Sequence, residues 1–395
     1  MADDLRRRIG PGLLTAYGVG VMVGAGIYVL VGAVAADAGI WAPLSFLVAG
    51  LIAAPTAMSY AEFSTRLPEA AGEAAYVGRG LSSRALALLV GLAITAAGTI
   101  SAGAVLRGGV GYLTTAVEVP SVWAILILGA ALTTVAILGV LESLALAAVF
   151  TVIEIAGLAL VAWAGFTAPP SVDWAAPAAP HLVGIGLGGV LAFFAFIGFE
   201  DIVNMAEEVE RPARTLPLAI LVSLVITTGL YAVVTLATVR AVPLAQLSGS
   251  ESPLVLVWQG AQGGSGEFLS AIAVFAALNG VLAQIVMASR VLYGLGKRPG
   301  PLAMFHRAHP RFGTPVRATT LIGSLVVLAA LFVPLATLAE TTSAILLSVF
   351  VLVNAALVLE KRRSPEAPFR VPMAVPVVGL VLSLTALTVA IGGMA

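Results

Sequence analysis

The sequence predicts an all-α integral membrane protein with about eleven transmembrane helices. Hydrophobic residues make up 60% of its 395 positions and charged residues only 10%, whereas soluble domains carry charge at about 25% of positions. The mean hydropathy is correspondingly high, at +1.06. Runs of about 20 apolar residues, the length that crosses a bilayer as a helix, begin near residues 12, 41, 84, 121, 143, 182, 216, 268, 317, 341 and 372.

The positive charges predict how these spans are oriented. When Lys and Arg are assigned to alternating sides of the spans, 17 of the 20 fall on the side that carries the N-terminus. Arg107 and Arg290 fall within spans, and Arg240 alone lies on the other side. The positive-inside rule therefore predicts a cytoplasmic N-terminus. Because the number of spans is odd, the C-terminus is expected on the outer side of the cytoplasmic membrane.

The first span contains an unusual density of glycine. Residues 18–32 read GVGVMVGAGIYVLVG and include five glycines. Each interior glycine costs roughly 1 kcal/mol of helix propensity relative to alanine, so the sequence predicts a helix that is broken near mid-membrane. Gly20 and Gly24 also form a GxxxG pair, which is a common device for close helix packing. Both interpretations stay open for this span alone.

The sixth span, GIGLGGVLAFFAFIGFED at 184–201, is interrupted by glycine in the same way. Five spans separate its start from that of the first span, and an odd number reverses the direction in which the chain crosses. This relation is the one expected of an inverted-topology repeat. The sequence thus predicts a single transmembrane domain, 1–395, with a first repeat at about 12–166, a second at about 182–360 and a peripheral eleventh helix at about 372–393.

Two such breaks would create a polar site at bilayer depth. An interrupted helix exposes main-chain groups that hydrocarbon cannot satisfy, so the break must line a cavity or contact a solute. Half-helix N-termini favour a carboxylate, and unwound carbonyls favour an ammonium or a metal cation. Facing breaks therefore suit a zwitterion such as an amino acid. Glu200 and Asp201 follow Gly198 closely, and they either face a polar cavity or cap the first turn of a resumed helix.

Five stretches of the chain carry a shared pattern. Residues 193–217, FFAFIGFEDIVNMAEEVERPARTLP, contain an FxAFxGF core, paired acids and a Pro-x-Arg-x-x-Pro exit. The other stretches are VGAGIY (23–28), SYAEFSTRLPEAAGEAAY (59–76), ALNGVLAQIVMASRVLYGLGK (277–297) and APFRVPMAVPVVG (367–379). In combination they resemble the amino acid/polyamine/organocation transporter superfamily, and the last is similar to its cationic amino acid transporter branch. Most members have twelve spans, whereas this chain has about eleven.

The resemblance implies a LeuT-type fold of ten core spans, and proton-coupled or exchange transport of amino acids or related amines. The N–H groups of Ala25 and Gly26 would bind a substrate carboxylate, and the Phe194 ring would act as a lid or gate. Gly24 and Ile27 belong to the same predicted substrate site. The carbonyls that would receive the substrate's amino group are those of Met22, Phe194, Ala195 and Ile197.

Glu154 is the most isolated carboxylate of the chain. It lies in the middle of the fifth span, LALAAVFTVIEIAGLALVAWAG, with about eleven apolar or small residues on either side. A carboxyl group surrounded by hydrocarbon is most stable in its neutral, protonated form, which suits a reversible proton carrier. Its ionised form would need a cation or a donor such as Asn279 in the eighth span. The alternative is a structural acid that is hydrogen-bonded to a neighbouring helix.

Two arginines at bilayer depth need a partner, because an unpaired charge there is costly. Arg107, in the outer half of the third span, could pair with Glu200 or Asp201 as an extracellular gate, or could extend its guanidinium to the membrane surface. Arg290 lies one or two turns from the cytoplasmic edge of its span, and an inner carboxylate such as Glu62 is its expected partner.

The sequence argues against an enzyme and against a primary pump. Its three histidines lie at span ends or in loops, and it contains no HExxH, GxSxG or phosphate-binding-loop motif. No cofactor, metal or nucleic-acid partner is predicted; the expected partners are an amino acid or amine, protons and the lipid bilayer. An amino acid/polyamine exchanger and an inorganic-ion carrier of the same fold remain as alternatives. The choice of amino acid and the oligomeric state stay open.

Overall fold

A computed structural model describes residues 9–23, 25–67, 72–139, 144–171, 174, 177–206, 209–297 and 300–394. Within these ranges the fold is helical, with one isolated β-bridge between Ile9 and Val209. The α-helices are α1 Pro11–Val23, α2 Ala25–Ala38, α3 Ala42–Arg66, α4 Gly72–Gly80, α5 Arg84–Ala116, α6 Ser121–Leu138, α7 Leu144–Thr167, α8 Leu182–Phe193, α9 Pro212–Ala241, α10 Leu244–Ser248, α11 Pro253–Gln262, α12 Glu267–Leu295, α13 Val316–Phe332, α14 Leu335–Arg363 and α15 Ala374–Met394. Short 3-10 turns occur at Gly39–Trp41, Phe194–Phe196, Glu200–Met205 and Pro301–Phe305.

Each of the eleven predicted spans is helical in the described part of the chain. Among the residues that the structure describes, nine helical stretches are long and apolar enough to cross a membrane, and α1 and α13 are shorter apolar helices. The first span comprises α1 and α2, which flank Gly24; Gly24 itself lies outside the described residues. The tenth span, α14, begins at Leu335 rather than near 341, because Pro334 stands just before its first turn, where a missing N–H is tolerated. The all-α membrane fold predicted from the sequence is confirmed.

Contacts between loops define two faces of the helix bundle. On the N-terminal face, where α1 begins, the Arg66 guanidinium donates a hydrogen bond to the Ser364 carbonyl at 2.7 Å. On the opposite face, Trp41 Nε1 donates to the Ala178 carbonyl at 2.9 Å. Arg240, the one basic residue that the sequence assigns to that face, donates to main-chain carbonyls at the end of α7. α4 and the 3-10 turn Pro301–Phe305 lie on the N-terminal face, and α10 and α11 lie on the opposite one.

Glycines allow the long spans to pack closely. On α5, a Cβ atom at Gly91 would come within 2.6 Å of the Leu295 side chain of α12, and one at Gly98 within 2.8 Å of Met287. Lipid chains are as apolar as leucine, so transmembrane helices associate through such close packing rather than through the hydrophobic effect. The glycines therefore allow α5 and α12 to pack closely against each other.

A buried ionic cluster fixes the N-terminal face. The Glu62 carboxylate of α3 accepts hydrogen bonds from Arg66 Nη2 and Lys361 Nζ, both at 2.6 Å, and from the Val371 amide at 2.9 Å. Lys361 also donates to the Val371 carbonyl at 2.7 Å. The predicted pairing of Glu62 with Arg290 is therefore wrong. Glu62 is instead paired from its own helix and from the end of α14, and it ties the segment before α15 to α3.

Replacing Lys361 with methionine is expected to lower the free energy of unfolding by roughly 3 kcal/mol. Breaking a buried ion pair costs roughly 3–5 kcal/mol, and Arg66 still pairs with Glu62 in the variant, which favours the lower value. Arg79→Gln is the matched control, because the Arg79 side chain is 53% exposed in its pair with Glu360 and such pairs contribute about 1 kcal/mol or less. Thermal unfolding in detergent measures both; equal midpoints for the two variants would contradict the assignment.

Candidate functional site

The sixth span is broken where the sequence predicts it. α8 ends at Phe193, a 3-10 turn covers Phe194–Phe196, and Ile197 is extended with ψ 130°. Gly198 follows with φ +126°, a conformation that only glycine adopts readily. A Cβ atom there would also lie 2.6 Å from the Val21 side chain of α1. Glycine is thus required at this point both for the turn and for the approach of the first span.

The two glycine-rich segments meet. A Cβ atom added to Gly26 would lie 2.8 Å from the Cα atom of Ala195, so the start of α2 touches the break of the sixth span. Met22 and Ile27, on either side of the α1–α2 junction, are buried. The roles predicted for Gly24 fall on a position outside the described residues and stay predictions.

Tyr231 of α9 links the two glycine-rich segments through its hydroxyl group. Its hydroxyl lies 2.5 Å from the Met22 carbonyl and 2.9 Å from the Ala195 carbonyl. One O–H carries one proton, so it donates to either carbonyl in turn. The rings of Phe46 and Phe196 pack edge-on against Tyr231 and hold it in place.

The Tyr231 contacts modify one expectation from the sequence. The Met22 and Ala195 carbonyls, expected to receive a substrate's amino group, already accept from a protein hydroxyl. A carbonyl oxygen has two lone pairs, so each keeps one acceptor site. Sequence reasoning did not find Tyr231, because a single tyrosine in an apolar span carries no signal of what lies beside it.

A small cavity lies where the two segments meet α5 and α12. Its volume is ≈ 50 Å³, which is room for a few water molecules and less than an amino acid needs. Of the predicted site residues it contains Met22, Gly26, Phe194, Ile197 and Asn279. The other lining residues are Gly20, Val21, Ser101, Val105, Ala276, Gly280, Ala283 and Gln284.

The polar side chains of this cavity are uncharged. Ser101 comes from α5, and Asn279 and Gln284 come from α12. The Gln284 Oε1 atom is buried and has no hydrogen-bond partner among the described residues. A buried unsatisfied acceptor is costly, so Gln284 is suited to a donor group on a ligand. Ser101 and Gln284 were not predicted as site residues, although a glutamine inside an apolar span is itself a usable signal.

Glu154 lies behind α2 rather than in the cavity. It is 3% exposed, and its Oε2 atom has no hydrogen-bond partner in the part of the chain that the structure describes. The Tyr28 hydroxyl of α2 donates to the Glu154 main-chain carbonyl at 2.9 Å. The hydrogen bonds found among the described residues do not join Glu154 to Asn279, which lines the cavity instead. The partner suggested for the ionised form is therefore not in place here.

Of the two alternatives for Arg107, the pairing with Glu200 or Asp201 does not occur in this structure. Arg107 donates to the Ala330 carbonyl of α13 at 2.8 Å, while Glu200 Oε2 accepts from the Gly198 amide at 2.9 Å. Arg107 lies in the half of α5 nearer the opposite face, whereas the two acids lie towards the N-terminal face. Arg107 and the two acids do not pair because they lie at different depths in the membrane. The contact of Glu200 with a main-chain amide agrees with the capping alternative.

The comparison with known proteins identifies the family. A family model described as amino acid permease matches residues 13–394. The chain belongs to this family. It is 31% identical to the branched-chain amino acid permease BcaP of Bacillus subtilis (strain 168), over 95% of this chain and 85% of that protein. It is 30% identical to the methylthioribose transporter of the same organism, over 96% and 87%. It is also 30% identical to the human cationic amino acid transporter 4, over 93% and 62%.

The family assignment confirms the predicted resemblance to the amino acid/polyamine/organocation superfamily, and the helical architecture agrees with a LeuT-like fold. The permease is a multi-pass membrane protein, and its homologues indicate amino acid permease or transporter activity. The names of the relatives cover branched-chain amino acids, cationic amino acids and methylthioribose. The substrate of this permease must therefore be argued from its own site.

α4 of the permease carries a buried acid next to the sixth span. Glu73 lies in the first turn of α4, on the N-terminal face, and is buried. The pKa of the Glu73 carboxyl is raised from 4.5 to about 7. Burial is the main cause and the negative charge of Asp201 adds to the rise, while a main-chain hydrogen bond partly opposes it. The folded permease therefore holds a proton on Glu73 more tightly than the unfolded chain does.

This shift predicts a pH-dependent stability. Because the folded pKa is raised, the contribution is greatest below about pH 4.5 and is lost as the pH rises towards 7, by up to roughly 3 kcal/mol. Glu73→Gln, which stays neutral, is expected to unfold at a higher temperature than wild type at pH 8 and to lose that advantage at pH 4.5. The exposed Glu366→Gln is the control and is expected to follow wild type. A Glu73→Gln curve parallel to wild type at all pH values would contradict the prediction.

Proposed function

We propose that this permease carries a neutral amino acid together with a proton across the cytoplasmic membrane by alternating access. The observation that carries the proposal is the uncharged cavity at which the glycine-rich segments of the first and sixth spans meet. Free main-chain groups persist in a membrane where they line a cavity. Free N–H groups offer a site for an anion and free carbonyls offer a site for a cation, which is the charge pattern of an amino acid.

The binding mode follows from the polarity of the two half-helices. The N–H groups of Ala25 and Gly26 begin α2 and bind the substrate carboxylate, as the positive end of a helix dipole favours an anion. The Phe194 ring, which lines the cavity, covers the bound substrate. The substrate's ammonium group is bound by main-chain carbonyls. Those of Met22 and Ala195 use the lone pair that Tyr231 leaves free, and those of Phe194 and Ile197 complete the set.

The lining of the cavity supports a neutral side chain rather than a cationic one. The polar groups that a substrate side chain would meet are Ser101, Asn279 and Gln284, and none is charged. A cationic side chain in such a site would lose its hydration without gaining a counterion. Glu200, the nearest sequence candidate for that counterion, accepts a hydrogen bond from the Gly198 amide. The same lack of lining carboxylates disfavours an inorganic cation as the substrate.

Coupling to protons is assigned to Glu154. Its buried carboxyl is compatible with the surrounding hydrocarbon when it is protonated. When it is ionised, the carboxylate destabilises the packing of the helices around it. Tyr28 connects the main chain at Glu154 to α2, the half-helix whose first amides bind the substrate. Gain or loss of the proton therefore acts on the element that contacts the cargo. Because basic residues concentrate on the N-terminal face, that face is assigned to the cytoplasm.

The test is uptake into proteoliposomes that contain the purified permease. A panel of radiolabelled neutral and cationic amino acids and polyamines is offered with and without an inward proton gradient. We expect concentrative uptake of a neutral amino acid that requires the gradient. Exchange without net gradient-driven uptake would favour the exchanger alternative. Absence of uptake for every amine would overturn the amino acid assignment.

Tyr231→Phe is expected to slow uptake roughly tenfold while the protein stays folded. The variant keeps the ring packing but removes the hydroxyl from the Met22 and Ala195 carbonyls, and an unsatisfied buried group costs about 1–3 kcal/mol. Tyr293→Phe is the matched control, since its ring contacts His306 at 4.4 Å between centroids far from the cavity. Initial uptake rates measure the difference. Wild-type rates in Tyr231→Phe would show that the hydroxyl does not position the carbonyls.

A further inference from the structure

A second cavity, larger than the central one, lies elsewhere in the described part of the protein. A groove of ≈ 620 Å³ lies between α5, α12, α13 and the 3-10 turn Pro301–Phe305. It is open at its side to the surface of the helix bundle, and its walls lie on membrane-spanning helices, so it faces the bilayer. It shares no lining residue with the central cavity.

The walls of the groove are apolar. Its two threonines, Thr95 and Thr99, donate their hydroxyl protons to carbonyls of their own helix, at 2.9 and 2.7 Å, so neither has a free proton to donate to an occupant. On α13, Leu321, Leu325 and Phe332 line the groove and are 40%, 43% and 77% exposed. These residues recur at helical spacing on one face. The groove therefore suits a flexible hydrocarbon chain and not a polar metabolite.

The length of the groove matches one leaflet. Leu321 and Phe332 are three turns apart, which is about 16 Å along the helix, and the hydrocarbon core of a bilayer is about 30 Å thick. Leu302 and Phe305 line the groove at the end near the N-terminal face. An acyl chain from the leaflet at that face would fill the groove from this end.

Basic side chains surround the end of the groove at the N-terminal face. Arg317 lies one turn before Leu321 on the same face of α13, and its guanidinium reaches the Met304 carbonyl beside the groove at 3.5 Å. Lys297 and Arg307, on the two sides of the 3-10 turn, are exposed. None of these three forms an ion pair with another described residue.

These charges have no nearby acid in the sequence. The chain contains no Asp or Glu between Glu267 and Glu340, so every charged residue in the loop from α12 to α13 is basic. Basic clusters next to transmembrane helices attract anionic lipid headgroups, and basic pockets between such helices bind them. The apolar groove and its basic rim together have the polarity of one anionic phospholipid.

We propose that the groove between α5, α12 and α13 binds one anionic phospholipid from the leaflet at the N-terminal face. One acyl chain lies along Leu321, Leu325 and Phe332, and the phosphate lies between Arg317, Lys297 and Arg307. α5 and α12 also line the central cavity from their other sides, so the lipid fills the outer surface of the unit that forms the substrate site. The proposal concerns lipid binding and does not depend on the identity of the cargo.

Native mass spectrometry of the full-length permease in detergent tests the proposal. The protein is titrated with phosphatidylglycerol or with phosphatidylcholine of the same chains. We expect one phosphatidylglycerol to bind at least tenfold more tightly than phosphatidylcholine, with an affinity that falls as salt is raised. Each basic side chain near an anionic headgroup contributes about fivefold, so Arg317→Gln is expected to weaken phosphatidylglycerol about fivefold and to leave phosphatidylcholine unchanged.

Two further variants separate the headgroup from the chain. Arg214→Gln removes another exposed basic residue, at the start of α9 on the same face, and it is expected to change neither affinity. Ala96→Phe places a ring in the groove and is expected to weaken both lipids. Equal affinity of wild type for the two lipids, equal effects of Arg214→Gln and Arg317→Gln, or a second copy of the chain in place of lipid would each overturn the proposal. Because Arg317 is exposed, its variant is expected to fold even if Ala96→Phe does not.

Discussion

Glu154→Gln is expected to abolish proton-driven accumulation of substrate while leaving exchange of substrate across the membrane intact. Glutamine has nearly the shape of the protonated glutamate and cannot release a proton. The variant is therefore fixed in the state that the buried site favours, and the carrier can still alternate with cargo bound. With an inward proton gradient, the ratio of internal to external substrate is expected to fall from well above one to one.

Exchange measured in the same vesicles shows that the variant is folded and binds substrate. Glu118→Gln is the matched control, because Glu118 is an exposed carboxylate in the connection after α5, and its removal is expected to leave accumulation unchanged. Accumulation at the wild-type level in Glu154→Gln would contradict the assignment. Coupling would then move to Glu200 and Asp201, the other carboxylates of the spans that lie near the break.

Gly198→Ala is expected to reduce uptake on the order of a hundredfold. At φ +126° any side chain is strained, by about 1–3 kcal/mol. The new methyl group would also lie 2.6 Å from the Val21 side chain and 3.1 Å from the Val21 main chain. Relief of that contact separates the first and sixth spans at the cavity, and a displacement of about 1 Å at a site of this kind costs about a hundredfold in rate.

Gly186→Ala tests whether the effect is specific to the break. Gly186 belongs to the same span, and a Cβ atom there would meet no other atom within 4 Å. Because alanine has the higher helix propensity, this control is expected to keep wild-type uptake and to be slightly more stable. Equal losses in the two variants, measured as initial uptake rates at matched protein levels, would indicate that the span tolerates no substitution at all.

The sequence and the structure agree best on features that depend on local chemistry. The spans follow from apolar length, and the break near Gly198 follows from the cost of glycine in a helix. The proximity of Glu200 to the break follows from two residues of spacing. Each of these properties is set within about 20 residues, so the pattern of the chain is enough to predict it.

The pairing of charged side chains could not be predicted in this way. Arg290 was expected to pair with Glu62. The Glu62 carboxylate pairs instead with Lys361, which lies 299 residues after Glu62 in the chain. For Arg107 the sequence left open a pairing with Glu200 or Asp201 and an extension to the membrane surface, and in the structure it reaches the Ala330 carbonyl. In each case the local pattern gives the depth of a residue along its helix, whereas the partner depends on which helix lies next to it and on how that helix is rotated.

The sequence by itself determined that this is a multi-pass membrane protein of the amino acid permease family, with a glycine-broken sixth span and an isolated acid in the fifth. Only the tertiary structure decided which side chains surround the central cavity. It brought Ser101 and Gln284 to the central cavity, placed Tyr231 against both the first and the sixth spans, and put Glu154 beside Tyr28. The reason is that all faces of a transmembrane helix are apolar, since lipid and protein interiors are alike in polarity. Hydropathy therefore locates a span but does not fix its rotation, and close packing among all the helices does.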